Sequence, residues 1–172
     1  VDGVAYMPHK LIDLDNLNID FYVVSFYKFC GLRISALYVK EDNYDLIKNQ
    51  NHYFFNNEHI INNKLQIGGI NYECATSILG LKDYLIDIAT FFKFNNGSES
   101  IFTRKLVEFV YSKLGFYENV FFNIFDKLKN NDNINILQIN NLEKTPIFSL
   151  TFNDFNINNV NLILNELGLI CK

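Results

Sequence analysis

Cysteine is scarce in this sequence. Its three cysteines, Cys30, Cys74 and Cys171, lie far apart and form no CxxC pair. That spacing argues against a disulfide framework or a zinc site and reads as reduced thiols of a cytoplasmic protein. Positive charge is not in excess either. Fifteen Lys and Arg stand against nineteen Asp and Glu, a net charge of -4, with no long run of one sign, so the footprint of a nucleic-acid binder is missing. No apolar run nears the eighteen or so residues of a membrane span, no leader pattern opens the chain, and no internal repeat is visible. There is no opening methionine: the chain begins "VDGVAY" and stops at "LGLICK". Both ends read as cut through structure rather than placed in linkers, which leads to the expectation of a piece of a longer chain.

What is present is a chain of 172 residues, 49% of them hydrophobic, enough for one compact domain or parts of two. Asparagine-rich texture around residues 130–136 is interleaved with apolar residues and reads as compositional bias over an ordered fold. "LIDLDNLN" (11–18) reads as a short helix. Residues 20–25 and 34–40 read as strands, rich in β-branched and aromatic types. "DNYDLIKN" reads as a helix start with Asp42 as its cap, and 49–64 as an irregular loop. From Tyr72 to about Phe92, Ala75, Ile78, Leu79, Leu81, Leu85, Ile88 and Ala89 recur at three- and four-residue spacing, an amphipathic helix. "NNGSES" breaks it, with Ser98 or Ser100 to cap the next element. Residues 101–129 read as one broken or two consecutive helices jointed at Gly115. "INILQI" and "IFSLTF" read as strands, "NDFNINNVNLILNELG" as a helix ended by Gly168, and "LICK" as the start of a last strand. Alternating strands and helices make the class α/β. The expected division is 1–95 and 96–172.

The chemistry centres on "DFYVVSFYKFCG" (20–31), where an apolar run ends in Ser25, Tyr27 and Lys28. The plain reading is a solvated lysine at a strand end, which keeps an edge from pairing with another chain. The chemical reading is an amine nucleophile among apolar neighbours. Asp2 lies 26 positions before Lys28, far enough for a crossover that brings both to the carboxyl ends of neighbouring parallel strands. An acid facing a lysine there is the layout a pyridoxal phosphate enzyme needs, with the lysine holding the aldehyde and the carboxylate keeping the pyridine nitrogen protonated. Ser25 is placed to hydrogen-bond a phosphate. His9 and His52 have no Cys or carboxylate cluster around them and read as surface or loop hydrogen-bonders. Cys30 and Cys74 read as small apolar fillers.

The segment from Val1 to Gly31 resembles, without a gap, the class V aminotransferase family, and within it the cysteine desulfurases and their desulfurase-like relatives. "ALYVKE", "KLQIGGINYECATSILGLKDYL", "TPIFSLTF" and "VNLILNELGL" are similar as well. The resemblance implies the late part of a fold-type-I large domain, a mostly parallel sheet with flanking helices, leading into the start of a small α+β C-terminal domain. It implies pyridoxal 5'-phosphate as cofactor, held as an internal aldimine on Lys28, which is also the base that moves the substrate Cα proton. Asp2 would pair with the pyridine nitrogen, and Ser25 would touch the phosphate. Gly68 and Gly69 would approach the phosphate of the partner's cofactor in a homodimer with shared active sites, with Asn71 beside that turn a weaker candidate. The implied substrate is an amino acid, with cysteine desulfuration one candidate reaction. Three departures point to the desulfurase-like branch. Tyr27 replaces a histidine that contacts phosphate in many desulfurases, and its hydroxyl could take over that contact. Ala5 replaces a glutamine that contacts the cofactor's phenolic oxygen, and Gly69 replaces a threonine. The sulfur-carrying cysteine of a desulfurase would lie beyond residue 172, and Cys171 is not read as that residue. The alternative is a non-catalytic or split-gene relative that functions only by assembling with a partner.

Overall fold

The computed structural model describes residues 1–54, 61–95, 102–137, 144–153 and 155–170. They group into two compact units, Val1–Leu114 and Gly115–Lys172. The first holds β1 (Phe21–Ser25), β2 (Ser35–Val39), α1 (Ile61–Leu65), α2 (Tyr72–Phe91) and the start of α3 (Arg104–Leu128); the second holds the rest of α3, β3 (Ile134–Leu137), β4 (Ser149–Phe152) and α4 (Ile157–Glu166). The architecture is mixed α/β with small antiparallel sheets. Among the described residues no helix is long and apolar enough to cross a membrane.

The sheets differ from the parallel arrangement expected. β1 pairs β2 antiparallel, from Phe21 with Val39 to Ser25 with Ser35, and β3 pairs β4 antiparallel, from Ile134 with Phe152 to Leu137 with Ser149. The reason lies in the connections. Residues 26–34 are too few for a parallel crossover, which needs a dozen or more. The longer stretch from Asp2 to β1 does have that length, and there the pairing is parallel: Asp2 bridges Val23.

Two helices also differ from expectation. Residues 11–18 form no helix. Leu14 to Leu17 make a turn, with Leu17 N–H on the Leu14 carbonyl. A segment this short nucleates poorly, and its Asp and Asn side chains compete for backbone groups. After β2 the chain makes a short 3-10 turn, Glu41–Asn43, in which Lys40, not Asp42, holds the capping position. In contrast, α3 runs unbroken through Gly115. One interior glycine costs about 1 kcal/mol relative to alanine, too little to break a helix carrying Leu106 and Val110 into the core. The proposed caps at Ser98 and Ser100 lie outside the described residues, as does Cys171; Leu169 and Ile170 are not in a strand.

The core of the first unit lies where α2 and α3 meet the turn after β1. Phe29, Leu81, Leu85, Ala89, Leu106 and Val110 form it. On α2 the buried set is Leu81, Leu85 and Ala89, one face at four-residue spacing, while Leu79 remains 64% exposed, so the buried stripe is narrower than the apolar one. Asn71 caps α2 by accepting the Cys74 N–H at 2.8 Å. The N-terminal segment is tied to α3 by two contacts. Arg104 holds Asp13 at 2.9 Å, and its hydrogen bond keeps that carboxyl below the usual range. The Tyr111 hydroxyl donates to the Met7 carbonyl at 2.7 Å, and burial pushes the Tyr111 phenol up. Tyr111→Phe should therefore lower stability by about 1–2 kcal/mol by stranding a partly buried carbonyl; urea unfolding with an unchanged midpoint would refute that.

In the second unit Phe148 stacks on Phe125, ring centroids 3.7 Å apart and nearly parallel, with Phe122 edge-on. Asn156 caps α4. Gly168 has a φ of 78° past the helix end, the left-handed backbone that glycine adopts freely.

Candidate cofactor site

The site is built from the two sides of the parallel bridge. Val23 donates its N–H to the Val1 carbonyl at 3.1 Å and accepts the Gly3 N–H at 2.9 Å, so Asp2 lies directly beside β1. The Asp2 carboxylate turns back to accept the Val4 N–H at 2.9 Å, a local Asx turn. The Gly3 carbonyl accepts from Tyr6 and Met7, which starts the turns of residues 4–9. A Cβ on Gly3 would sit 1.9 Å from both Cζ and Oη of Tyr22. Only glycine lets that ring lie where it does.

β1 ends in Ser25, which is buried. The chain then makes a 3-10 turn, Phe26–Phe29, whose carbonyl at Phe26 accepts the N–H groups of both Cys30 and Gly31. A Cβ on Gly31 would come within 2.9 Å of the Phe26 Cβ. Phe29 drops into the α2–α3 core and anchors the turn. Its neighbour Lys28 is exposed, with its ammonium 5.2 Å from the centroid of the half-exposed Tyr27 ring, a cation–π contact. The lysine is therefore held near a rigid anchor with its amine in solvent.

Cys30 is not the apolar filler expected. It is exposed, has a φ of 60°, and its hydrogen bond to Tyr84 raises that phenol above its ordinary value.

Ser25, Tyr27 and Lys28 thus share one strand and its turn, with Asp2 bridged beside that strand at Val23, and Asp2 and Lys28 do not pair with each other: the first holds a backbone N–H and the second lies over a ring. The Gly68–Gly69 turn lies apart in sequence, just before α2. Gly68 has a φ of 86° and its carbonyl is 3.5 Å from Gln66 Nε2. A Cβ at either glycine would meet nothing within 4 Å, so the turn is open-faced. Asn71 has a structural use as the α2 cap. Among the described residues no cluster of His, Cys, Asp and Glu could hold a metal; His52 stacks on Phe54.

Sequence reasoning missed Tyr22 and Phe29, for an evident reason. Alternation along β1 marks which residues share a face, but nothing in it says which aromatic will lie over Gly3 or reach the helices.

Lys28 has a free amine and Asp2 an accessible carboxylate, so these residues fit a cofactor that carries an aldehyde and a basic ring nitrogen. Comparison with known proteins bears on the same stretch. Residues 1–53 match the family Aminotransferase class-V. Three curated relatives are similar. An aminotransferase-like protein of Gibberella zeae is 39% identical over 84 residues, 49% of this chain and 21% of that protein. A cysteine desulfurase-like protein of Aspergillus flavus is 30% identical over 118 residues, 68% of this chain and 26% of that protein. A nonribosomal peptide synthetase-like enzyme of Aspergillus fumigatus is 30% identical over 86 residues, 49% of this chain and 6% of that protein. The chain therefore spans about a quarter or less of the length of these relatives.

Proposed function

We propose, from the premise that residues 1–53 of this chain are class V aminotransferase sequence, that the protein supplies the lysine-bearing part of a pyridoxal phosphate-dependent enzyme acting on an amino acid. The observation that carries the reading is the placement of Lys28. The residue sits one position from a buried anchor, with an exposed amine, on the turn that follows the strand paired with Asp2.

The cofactor would supply an aldehyde and an electron-accepting ring. The work of this chain's residues follows from their positions. Lys28 would hold the aldehyde carbon through its Nζ and, when substrate takes its place, accept the proton from the substrate Cα. Asp2 would face the ring nitrogen and hold its proton by charge. Ser25, Tyr27 and the open Gly68–Gly69 backbone are proposed to bind phosphate oxygens, the glycine turn in trans within a homodimer. The likeness to a cysteine desulfurase-like protein makes cysteine desulfuration one reaction within this reading.

Borohydride treatment after incubation with pyridoxal phosphate, followed by peptide mass mapping, tests the proposal. A stable mass increase is expected on the peptide that contains Lys28 and should disappear in Lys28→Ala. Modification of another lysine with Lys28 untouched would sink the assignment. No adduct at all in the full-length protein would favour the non-catalytic alternative.

A further inference from the structure

Between Val39 and Leu81, Lys64 is the one buried residue among the described residues. It is 6% exposed, whereas residues 66–73, which carry the Gly68–Gly69 turn, are all exposed. A buried ammonium is costly unless it is hydrogen-bonded, and a methionine would fill much the same space without a charge. What the lysine adds is a directed donor. Its Nζ donates to the Tyr44 carbonyl at 2.6 Å, 20 positions back in the chain. Two more bonds join the same two segments. The Gln50 N–H donates to the Lys64 carbonyl at 2.8 Å, and Asn51 Nδ2 donates to the Gln66 carbonyl at 2.8 Å. Residues 64–66 are thus braced against 44–51. On the far side of the turn, Asn71 is fixed as the cap of α2. The glycine turn is suspended between these two fixed points. A Cβ on either glycine would meet no atom within 4 Å, so the direction of the turn is set at its ends and not by packing on its face.

We propose that Lys64 and Asn51 are positioning residues: their bonds to the Tyr44 and Gln66 carbonyls hold the Gly68–Gly69 turn ready to meet the phosphate of a phosphorylated aldehyde. The inference rests on the reading of that turn as phosphate-binding. Both residues act through the turn and not on the cofactor. A turn released at one end loses its preorganisation, and binding must then order it.

Borohydride trapping on the full-length protein, read as adduct at Lys28 against aldehyde concentration, tests it with pyridoxal 5'-phosphate and with pyridoxal, which lacks the phosphate. Lys64→Met keeps a buried apolar stem and removes the donor. It is expected to raise the half-saturating concentration of pyridoxal 5'-phosphate about tenfold, the effect of losing one hydrogen bond to a charged group, and to leave that of pyridoxal unchanged. Hydrogen exchange without cofactor reads the brace itself. The Gln50 and Gln66 amides, bonded to the Lys64 and Asn62 carbonyls, should exchange faster in Lys64→Met, while the amide of Leu85 in the core keeps its rate. A loss shared equally by both aldehydes, or exchange raised equally at all three amides, marks a general loss of stability and overturns the proposal. So does unchanged exchange at Gln50 and Gln66, or a phosphate preference that survives Lys64→Met. Should Lys64→Met fail to fold, Asn51→Ala is measured in the same way, with the same outcomes deciding. No adduct with either aldehyde in the wild type overturns the reading of the site and this role with it; an adduct whose phosphate preference ignores Lys64 and Asn51 overturns this role alone.

Discussion

Phe29→Ala is expected to lower stability by about 3–5 kcal/mol, the usual loss for a buried phenylalanine, and to release the turn that carries Lys28. Phe29 is 8% exposed and packs in one cluster with Leu81, Leu85 and Ala89 of α2 and Leu106 and Val110 of α3. Its ring centroid is 5.9 Å from that of Tyr111, whose hydroxyl holds the Met7 carbonyl. Truncation therefore opens a cavity where the lysine turn, both helices and the N-terminal segment meet. Set against a typical domain stability of about 5–15 kcal/mol, the loss leaves little in reserve. Phe29→Leu conserves most of the volume and should cost less than about 1.5 kcal/mol. Urea unfolding of both variants checks the magnitude. Near-equal midpoints for alanine and wild type would mean that the turn is not anchored through this ring. The same pair separates anchoring from chemistry: borohydride trapping at Lys28 should survive in Phe29→Leu and fall in Phe29→Ala under conditions where the alanine variant is still folded.

Gly3→Ala is the second large effect. The added methyl would lie 1.9 Å from Cζ and Oη and 2.6 Å from Cε1 of Tyr22. The backbone of Gly3 cannot retreat easily, because its N–H is bonded to Val23 and its carbonyl accepts from Tyr6 and Met7. The ring must yield instead, into the cavities it lines on either side. Overpacking of this kind costs about 1–3 kcal/mol, and the position of Asp2, one residue away, moves with it. Combining Gly3→Ala with Tyr22→Leu should recover much of the loss, since the shorter side chain no longer reaches Gly3. A Gly3→Ala variant as stable as the wild type, or one not rescued by Tyr22→Leu, would show that the close approach is not what the glycine serves.

The α2 helix was legible before any coordinates, because apolar residues at three- and four-residue spacing over twenty positions leave no competing element. The strands at 21–25 and 35–39 were legible for the analogous reason of β-branched and aromatic content. The short elements were not. Residues 11–18 and 42–49 carry helical composition, but over a single turn or two the nucleation cost outweighs propensity. The opposite error at Gly115 has the same origin: a local glycine signal is worth about 1 kcal/mol, and the packing of Leu106 and Val110 against α2 decides instead.

For the candidate site the division is similar. The sequence by itself determined which residue types stand at the proposed site, an aspartate before a glycine and a lysine after an apolar strand, because residue type and spacing are written in it. It also determined that the stretch from Asp2 to β1 has the length a parallel crossover needs, and the Asp2–Val23 bridge realises it. Only the tertiary structure decided that the next connection is a hairpin, that Phe29 and not the lysine enters the core, and that Tyr22 lies on Gly3 with a buried hydroxyl. Those outcomes depend on contacts between residues 10 to about 80 positions apart. Such contacts are set by close packing among side chains of similar hydrophobicity, which pattern and propensity do not distinguish.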